Sequence, residues 1–381
     1  MKIAVIAPSF VPSSAANSIQ VMKVCQSLVQ AGADVALWVP LKAGQEPNDN
    51  WEELKVFYGI EFDFPIRWLK EDLRFKRYDF AWKAVAGAKK WGADVVYTWM
   101  VQAGILAYWR GMLPALELHM LPTGKLGPLL LKQFTKSRMK KLLLPITEAL
   151  KQRLISDFSI PFPEEETMIA PMGSEPERYL NLDSPRESRL KLGLEERLTA
   201  VYAGHLYAGR GMEMLLELAK AYPMVSFLWI GGREPELSRW REKVKAEGAE
   251  NVILTGFVNN KELPLYQSAG EILLMPYQRN VGVSGVGDTA EVCSPMKLFD
   301  YLSAGRVIIS SDLPVFHEIL NVENAVFCAP DHISDWVAAF GYLVDDPEER
   351  EELGQQAKKD AVKYSWRVRA ENTLLKLKAL Q

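Results

Sequence analysis

The stretch at residues 285–305, GVGDTAEVCSPMKLFDYLSAG, decides how the chain is interpreted. The apolar segment just before it, residues 272–275, predicts a short buried strand. A glycine-rich loop follows, and then a helix for which Ser294 is the expected N-cap and Pro295 the first residue. Gly305 comes after the last turn, where we expect the helix to end. Strand, loop and helix in this order predict one unit of an α/β domain.

The junction between this loop and its helix is a candidate anion site. The first turn of a helix presents unpaired N–H groups and the positive end of the helix dipole. Lys297 adds a full positive charge there, and Asp300 lies about 4.5 Å further along the helix axis. A carboxylate at that distance can accept two hydroxyl hydrogen bonds, as from a ribose. The pattern predicts a bound nucleotide, with an ordinary loop and core helix as the alternative.

A second loop, at residues 204–211, has the same setting, because it follows a predicted strand and opens a predicted helix. It carries His205 and Arg210, and the planar guanidinium of Arg210 suits phosphate oxygens. Its glycines let a backbone approach a ligand closely. Together with Lys297, this loop predicts a diphosphate site that is built without a metal ion.

Three acids and one histidine are further candidates. Glu291 and Asp288 lie in the central loop and could bond sugar hydroxyls, with solvated loop acids as the alternative. Glu117 and His119 alternate with leucines at the end of a predicted strand. That end of a strand is where open α/β sheets bind ligands. A structural histidine is the alternative for His119.

Composition and missing motifs exclude several classes of protein. The chain has 381 residues, which suits two domains, and 48% hydrophobic with 24% charged residues is ordinary for a soluble enzyme. It lacks the G-x-G-x-x-G fingerprint, a P-loop, a nucleophile elbow and metal-ligand spacing. A strand pattern begins at once and no apolar run approaches ~20 residues. Its three cysteines lie far apart and fit no metal spacing, so we expect a cytoplasmic protein without a metal site. The strand pattern at the start of the chain predicts no signal peptide. We also expect no nucleic-acid partner.

Positive charge is concentrated in residues 125–153, where eight basic residues accompany one acid, Glu148. Apolar residues are interleaved with these charges. Such a basic amphipathic segment can lie on an anionic membrane surface. The pattern therefore predicts peripheral contact with the inner membrane face, and a solvated helix face is the alternative.

Strand and helix patterns alternate in two separate runs. They are separated by residues 175–196, which are polar, acidic and marked by prolines, as in an interdomain linker. The predicted fold is α/β, with two Rossmann-like doubly wound domains that face each other across a cleft. The first domain is expected at residues 1–175 and the second at residues 190–365.

Several segments of the chain resemble the retaining, nucleotide-sugar-dependent glycosyltransferases of the GT-B fold, of the family 4 type. The resemblance covers nearly the whole chain, and the combined motifs are highly specific. The matching segments are 294–301 (SPMKLFDY) with 304–305, 307–314 (VIISSDLP), 204–207 (GHLY) with 210–211, 117–119 (ELH), 146–148 (ITE) and 364–366 (YSW).

The resemblance implies that the second domain binds an NDP-sugar and the first an acceptor hydroxyl. The basic segment at 125–153 favours a lipid-linked or anionic acceptor, and a soluble small-molecule acceptor is the alternative. It implies a last helix, at about 366–381, that returns to the first domain. The implied catalytic residues are His119, Arg210, Lys297 and Glu291. The implied donor-binding residues are Gly204, His205, Arg210, Gly231, Gly232, Phe257, Val258, Gly285, Gly287, Ser294, Lys297, Leu298 and Asp300. The implied acceptor-side residues are Ser14, Ala15 and Asn17.

The sequence departs from the family pattern at three places. Val292 stands where the family has the first of two glutamates, and Asp300 replaces the second. His205 replaces an arginine, and residues 13–17 replace a glycine-rich loop. The expected activity is a metal-independent, retaining hexosyl transfer from an NDP-sugar. The alternatives are a catalytically silent binding or scaffold subunit and a GT-B sugar-nucleotide epimerase.

Overall fold

A computed structural model describes residues 1–42, 44–124, 126–279 and 290–381. Its strands are β1 (Lys2–Ile6), β2 (Asp34–Leu41), β3 (Ile66–Lys70), β4 (Val95–Thr98), β5 (Leu113–Leu118), β6 (Leu142–Pro145), β7 (Thr199–Ala203), β8 (Ser226–Ile230), β9 (Val252–Gly256), β10 (Ile272–Met275), β11 (Val307–Ser311) and β12 (Val326–Cys328). Its helices are α1 (Ala16–Gln30), α2 (Trp51–Tyr58), α3 (Tyr78–Trp91), α4 (Val101–Trp109), α5 (Leu126–Lys136), α6 (Glu148–Phe158), α7 (Pro185–Leu192), α8 (Met212–Ala221), α9 (Glu236–Ala246), α10 (Leu263–Ser268), α11 (Met296–Ala304), α12 (Ile333–Asp345), α13 (Pro347–Ala361) and α14 (Trp366–Leu380).

The chain divides into two compact units. The first unit comprises Met1–Met172 with Trp366–Gln381, and the second comprises Gly173–Ser365. Each unit contains one six-stranded sheet in which all strand pairs are parallel. The predicted α/β class with two doubly wound sheets is confirmed.

The first sheet has the strand order β3-β2-β1-β4-β5-β6. Its strands other than the edge strand β3 are buried along most of their length, since parallel sheets are covered by helices on both faces. The order reverses between β1 and β4, so right-handed crossovers place α3, α4 and α5 on one face and α1 and α2 on the other. The C-terminal helix α14 packs beside α1.

The second sheet has the strand order β12-β11-β10-β7-β8-β9. Its order reverses between β7 and β10, which are hydrogen-bonded neighbours. Ligands of open α/β sheets bind outside the carboxyl ends of the strands at such a switch point. The segment after β7 and the helix α11 after β10 both begin at this edge, so the fold itself brings the two predicted anion-binding segments together.

The structure confirms two details of the central stretch and corrects a third. The strand at 272–275 and the left-handed C-cap Gly305 (φ 62°) are as predicted. Helix α11, however, begins at Met296, and Pro295 rather than Ser294 is its N-cap. Pro295 has ψ 129°, which lies outside the helical region, and its side chain makes no capping hydrogen bond.

The linker prediction for residues 175–196 is wrong. This segment contains α7, which starts with a capping box between Ser184 and Glu187. The helix packs into the second unit, where Ser188 and Ser268 are hydrogen-bonded at 2.7 Å and Arg189 pairs with Glu271 at 2.8 Å. Polar, proline-marked composition is shared by linkers and by helix starts, and here the Ser-Pro-x-Glu pattern belongs to a helix start.

The basic segment 125–153 is not one amphipathic helix. It is divided between α5, the buried strand β6 and the first half of α6. Lys141 is fully buried and pairs with Glu166 at 2.7 Å, and Arg153 pairs with Asp157 at 2.7 Å. Among the described residues, no helix has the length and apolar character needed to cross a membrane.

Replacing Ser184 with alanine is expected to destabilise the second unit by about 1 kcal/mol, because the N-cap hydroxyl no longer accepts from the N–H of Glu187. Urea unfolding followed by tryptophan fluorescence measures this change. Ser334→Ala, at an exposed serine of α12 in the same unit, is the matched control. Identical unfolding midpoints for the two variants would show that α7 does not contribute to the stability of this unit.

Candidate functional site

Two cationic side chains meet at the carboxyl edge of the second sheet. Arg210 comes from the segment after β7, and Lys297 lies in the first turn of α11. Both approach the ring of Tyr277, with the Arg210 guanidinium carbon 4.6 Å and the Lys297 Nζ 5.4 Å from its centroid. The N–H of Ala203 donates to the hydroxyl of Tyr301 at 2.8 Å, which ties α11 to the end of β7.

Neither cation is fully satisfied by the residues that the structure describes. The Nζ of Lys297 and the Nε of Arg210 are buried and have no described hydrogen-bond partner. Lys297 instead lies 3.8 Å from the ring centroid of Tyr202, and Arg210 contacts the ring and hydroxyl of Tyr207. Aromatic rings attract cations but replace only part of the lost hydration. The site therefore favours a ligand with negative charge.

This excess of positive charge lowers the pKa values of basic groups in the site. Burial and then the charge of Arg210 hold the pKa of Lys297 well below its ordinary value. Burial and the charges of Arg210, Arg233 and Lys297 lower the pKa of His205 to about 4. His205 is therefore neutral near pH 7, and an anion would relieve the mutual repulsion of the other cations.

Glycines allow the backbone to come close to these cations. Gly204 has φ 152°, and a Cβ at this position would lie 2.6 Å from the Nζ of Lys297. A Cβ at Gly232 would lie 2.5 Å from Leu206. Gly231 donates its N–H to the carbonyl oxygen of Gly256 at 2.8 Å, which joins the ends of β8 and β9. Side chains at Gly204 and Gly232 would require neighbouring groups to move.

Asp300 lies one turn after Lys297 on the same helix and is half-buried. Burial and then the negative charge of Asp300 raise the pKa of Tyr179 well above its ordinary value. The charge of Asp300 also contributes to the raised pKa of Arg178. Arg178 is itself held by a 2.9 Å hydrogen bond to Asn260. The carboxylate of Asp300 thus interacts with Tyr179 and Arg178, one helical turn after Lys297.

The other predicted donor residues are distributed around the same edge. Leu298 is buried in α11, Ser294 is half-buried, and Glu291 is exposed. Phe257 and Val258 follow β9, with Phe257 exposed and Val258 half-buried. The predicted residues that lie outside the described part of the chain are Gly285, Gly287 and Asp288.

In the first unit, His119 belongs to a polar cluster at the end of β5. Its Nε2 lies 2.6 Å from Oε1 of Glu117 and accepts a 3.0 Å hydrogen bond from the indole of Trp99. The amide of Gln20 in α1 donates to Glu117 at 2.5 Å and is 3.1 Å from His119. This contact links His119 to the helix that starts beside the predicted acceptor-side residues Ser14, Ala15 and Asn17.

Glu117 is a fully buried acid that stays ionised. Burial alone would raise its pKa, but Arg369, His119 and Tyr97 lower it to about 2. Arg369 comes from α14 and lies 2.9 Å from Oε1 of Glu117. It also donates to the hydroxyl of Tyr97 at 3.2 Å and to the carbonyl of Pro171 at 2.9 Å. The C-terminal helix therefore supplies the charge that balances Glu117.

The partners of both groups of residues are not predicted by the sequence pattern. They are Tyr202, Tyr207 and Tyr277, which surround the cations, and Arg369, which pairs with Glu117. Two of the tyrosines had a local signal, since Tyr202 ends a predicted strand and Tyr207 lies in the second loop. Among the described residues, no group of three or more metal-binding side chains comes together.

Comparisons with known proteins concern the second unit most directly. Residues 185–360 match the family model described as Glycosyl transferases group 1. A teichuronic acid biosynthesis glycosyltransferase, TuaH, of Bacillus subtilis (strain 168) is 27% identical over 148 residues, which are 38% of this chain and 34% of that protein. The alpha-D-kanosaminyltransferase of Streptomyces kanamyceticus is 25% identical over 186 residues, which are 47% and 45% of the two chains. The matches thus span less than half of either relative.

Solved structures match the whole chain at low sequence identity. Sucrose-phosphate synthase from Thermosynechococcus elongatus has a TM-score of 0.78 at 16% identity and covers 100% of this chain and 98% of its own. Anabaena HepE in complex with UDP has a TM-score of 0.75 at 13% identity and covers 100% of both chains. These likenesses confirm a fold of the GT-B type, and the family model matches residues 185–360, a little under half of the chain.

Replacing Glu117 with glutamine tests the electrostatics of the His119 cluster. The folded pKa of Glu117, about 2, is lower than its ordinary value of 4.5, so its stabilising effect is present above about pH 4.5 and disappears toward pH 2. The difference in unfolding free energy between wild type and variant is expected to be about 3 kcal/mol at neutral pH. It should shrink as the solution is acidified.

Urea unfolding at a series of pH values measures this difference. Glu165→Gln, at an exposed acid of the same unit, controls for the substitution itself. A difference between wild type and Glu117→Gln that is unchanged from neutral to acidic pH would contradict a buried, ionised Glu117.

Proposed function

We propose that this chain is a retaining glycosyltransferase that moves a hexosyl group from an NDP-sugar to the hydroxyl of an acceptor. The observation that supports it most is the buried pair of Arg210 and Lys297, whose Nε and Nζ have no described partner. A diphosphate carries the charge and the acceptor oxygens that this pair needs. The family match over residues 185–360 supports the same assignment.

We assign the diphosphate, the ribose and the base of the proposed donor to separate residues of the second unit. The diphosphate lies against Arg210, Lys297 and the N-terminal end of α11, and the ribose hydroxyls donate to Asp300. The base is assigned to the ends of β8 and β9, near Gly231 and Phe257. Because solved relatives of this fold contain UDP and UDP-glucose, we propose UDP-hexose as the first donor to test.

The proposed reaction forms a bond between the acceptor oxygen and the anomeric carbon of the sugar with retention of configuration. The bond from that carbon to the diphosphate breaks, its electron pair goes to the diphosphate, and the proton of the acceptor hydroxyl is transferred to a diphosphate oxygen. The two cations lower the barrier by stabilising the negative charge that develops there, which is preorganised electrostatic catalysis. We propose that these cations take the place of a metal ion.

The acceptor is assigned to the first unit. We propose that His119, held by Glu117 and Trp99, acts near the transferred sugar, and that Glu291 contacts the sugar from the second unit. Ser14, Ala15 and Asn17 border the acceptor in this proposal. We propose a lipid-linked or anionic acceptor and a cytoplasmic location.

Val292 at the position of the family's first glutamate supports one competing function, a catalytically silent binding subunit. Such a protein binds UDP but releases none from UDP-hexose with any acceptor. An epimerase would instead convert UDP-hexose without an acceptor. Chromatographic analysis of UDP-hexose incubated with and without an acceptor mixture therefore separates the three functions.

Replacing Arg210 with alanine is expected to weaken UDP binding about 10- to 100-fold, since a charge-assisted hydrogen bond contributes about 1.5–3 kcal/mol. Calorimetric titration in a buffer with a metal chelator measures the affinity. Arg239→Ala, at an exposed arginine of α9, is the control and should bind UDP like wild type. Equal UDP affinity of Arg210→Ala and wild type would contradict the diphosphate assignment.

Binding of UDP is also expected to take up a proton at Lys297. The low pKa of the free lysine rises when the diphosphate places negative charge beside it, so the amine gains a proton between the two pKa values. UDP affinity should accordingly fall as the pH rises through this interval. At about pH 8 the terminal phosphate of UDP is already ionised and does not contribute.

Calorimetry in two buffers of different ionisation enthalpy gives the number of protons taken up. The expected result is uptake by wild type and none by Lys297→Met. An observed binding heat that does not depend on the buffer in wild type would contradict this linkage.

A further inference from the structure

An exposed group of aromatic side chains lies on the helical layer of the first unit that contains α3 and α4. Trp109 is 73% exposed and Trp82 is 57% exposed. Tyr78 and Tyr108 are also exposed. Tryptophan is usually buried over most of its surface, so two such exposed side chains in one layer require an explanation.

This group of side chains spans the contact between α3 and α4. Helices α3 and α4 pack side by side, and the guanidinium of Arg110 lies 4.4 Å from the ring centroid of Trp82. Trp109 directly precedes Arg110, and Tyr78 is one helical turn before Trp82. We call this surface the aromatic–basic face, which consists of Tyr78, Trp82, Tyr108, Trp109 and Arg110.

The surroundings of the aromatic–basic face are positively charged. Helix α5 packs beside α4, with Phe134 against Gly104. Residues 101–140 contain six basic residues and one acid, Glu117, which is fully buried. On α3 the acid Asp79 is neutralised by Lys83 at 3.0 Å. Positive charge therefore lies next to the aromatic rings. The acid that the structure describes on these helices, Asp79, is paired.

The location differs from the membrane contact that the sequence predicted at 125–153. Lys141 is buried and paired, and Arg153 is paired with Asp157, so the later part of that segment offers little free charge. The exposed lysine Lys136 remains available on α5, next to α4. Of the exposed basic residues in this segment, Lys136 therefore lies on the helix beside α4, and Arg138 and Lys140 follow that helix.

We propose that the aromatic–basic face docks this protein on an anionic lipid surface. Tryptophan and tyrosine prefer the boundary between headgroups and acyl chains, because one part of each ring system is apolar and another is polar. Arginine and lysine beside them attract anionic headgroups. The combination of exposed indoles, cations and no free acid fits a lipid surface better than a protein surface of mixed charge. This docking is independent of the proposed donor site.

Co-sedimentation of the full chain with lipid vesicles tests the proposal. Wild type is expected to bind vesicles that contain phosphatidylglycerol, to bind pure phosphatidylcholine vesicles much more weakly, and to dissociate as salt is added. Trp82→Ser/Trp109→Ser should lower the partition coefficient about tenfold or more. Arg110→Gln/Lys136→Gln should lower it about fivefold for each charge removed.

The matched control removes two exposed apolar side chains from the second unit. Leu190 and Met224 are 80% and 81% exposed, and Leu190→Ser/Met224→Ser should bind vesicles like wild type. Melting temperatures and UDP titration of all variants show whether each is folded and whether its donor site is intact. Loss of vesicle binding with unchanged UDP binding would separate this proposal from the proposed function.

Three results would overturn the proposal. The first is wild type that does not bind phosphatidylglycerol vesicles. The second is vesicle binding that neither double variant of the face reduces. The third is a wild-type dimer, seen by sedimentation velocity, that dissociates in Trp82→Ser/Trp109→Ser while lipid binding is unchanged, because the face would then contact a second copy of the chain.

Discussion

Two cationic side chains with buried nitrogen atoms, Arg210 and Lys297, are the constraint on which the proposed donor site of the second unit depends. Parallel pairing of β7 with β10 brings Arg210 and Lys297 to the same switch point. Burial and the charge of Arg210 lower the pKa of Lys297, and the Nε of Arg210 and the Nζ of Lys297 have no described partner. Such an arrangement costs stability in the absence of a ligand. Its presence is explained if the fold is preorganised for a diphosphate, since the cost is then offset when the ligand binds.

The first unit contains the opposite arrangement, in which a buried charge is fully balanced. Glu117 is held by Arg369, Gln20 and Tyr97, and it lies against His119. Because Arg369 lies in α14, the first unit is electrostatically complete only when the end of the chain has returned to it. The same helix that closes the core also fixes the orientation of a candidate functional histidine. We therefore expect changes in α14 to alter the His119 cluster even though they lie far from it in the sequence.

Local sequence patterns predict the strands and helices of the fold better than the side-chain contacts between distant segments. The strand at 272–275, the C-cap Gly305 and the loop with Arg210 could be predicted because each depends on neighbouring residues. The N-cap of α11 was misplaced by one residue, and α7 was mistaken for a linker although Ser184 and Glu187 carry a helix-start signature. The tyrosines around the cations and the pairing of Arg369 with Glu117 join segments far apart in the chain, and periodicity contains no information about such contacts. Gly285, Gly287 and Asp288 stay predictions, since they lie outside the described residues.

Titration with uridine, UMP and UDP in a metal-chelating buffer tests whether Arg210 and Lys297 bind a diphosphate, because the three ligands differ only in the number of phosphates. If Arg210 and Lys297 form a diphosphate site, affinity increases with each phosphate, and UDP binds about tenfold or more tightly than UMP. Cytidine, adenosine and guanosine diphosphates in the same experiment identify the base. Equal affinities for nucleoside and nucleoside diphosphate with every base would show that the two cations do not bind phosphate, and the proposed donor site would be incorrect.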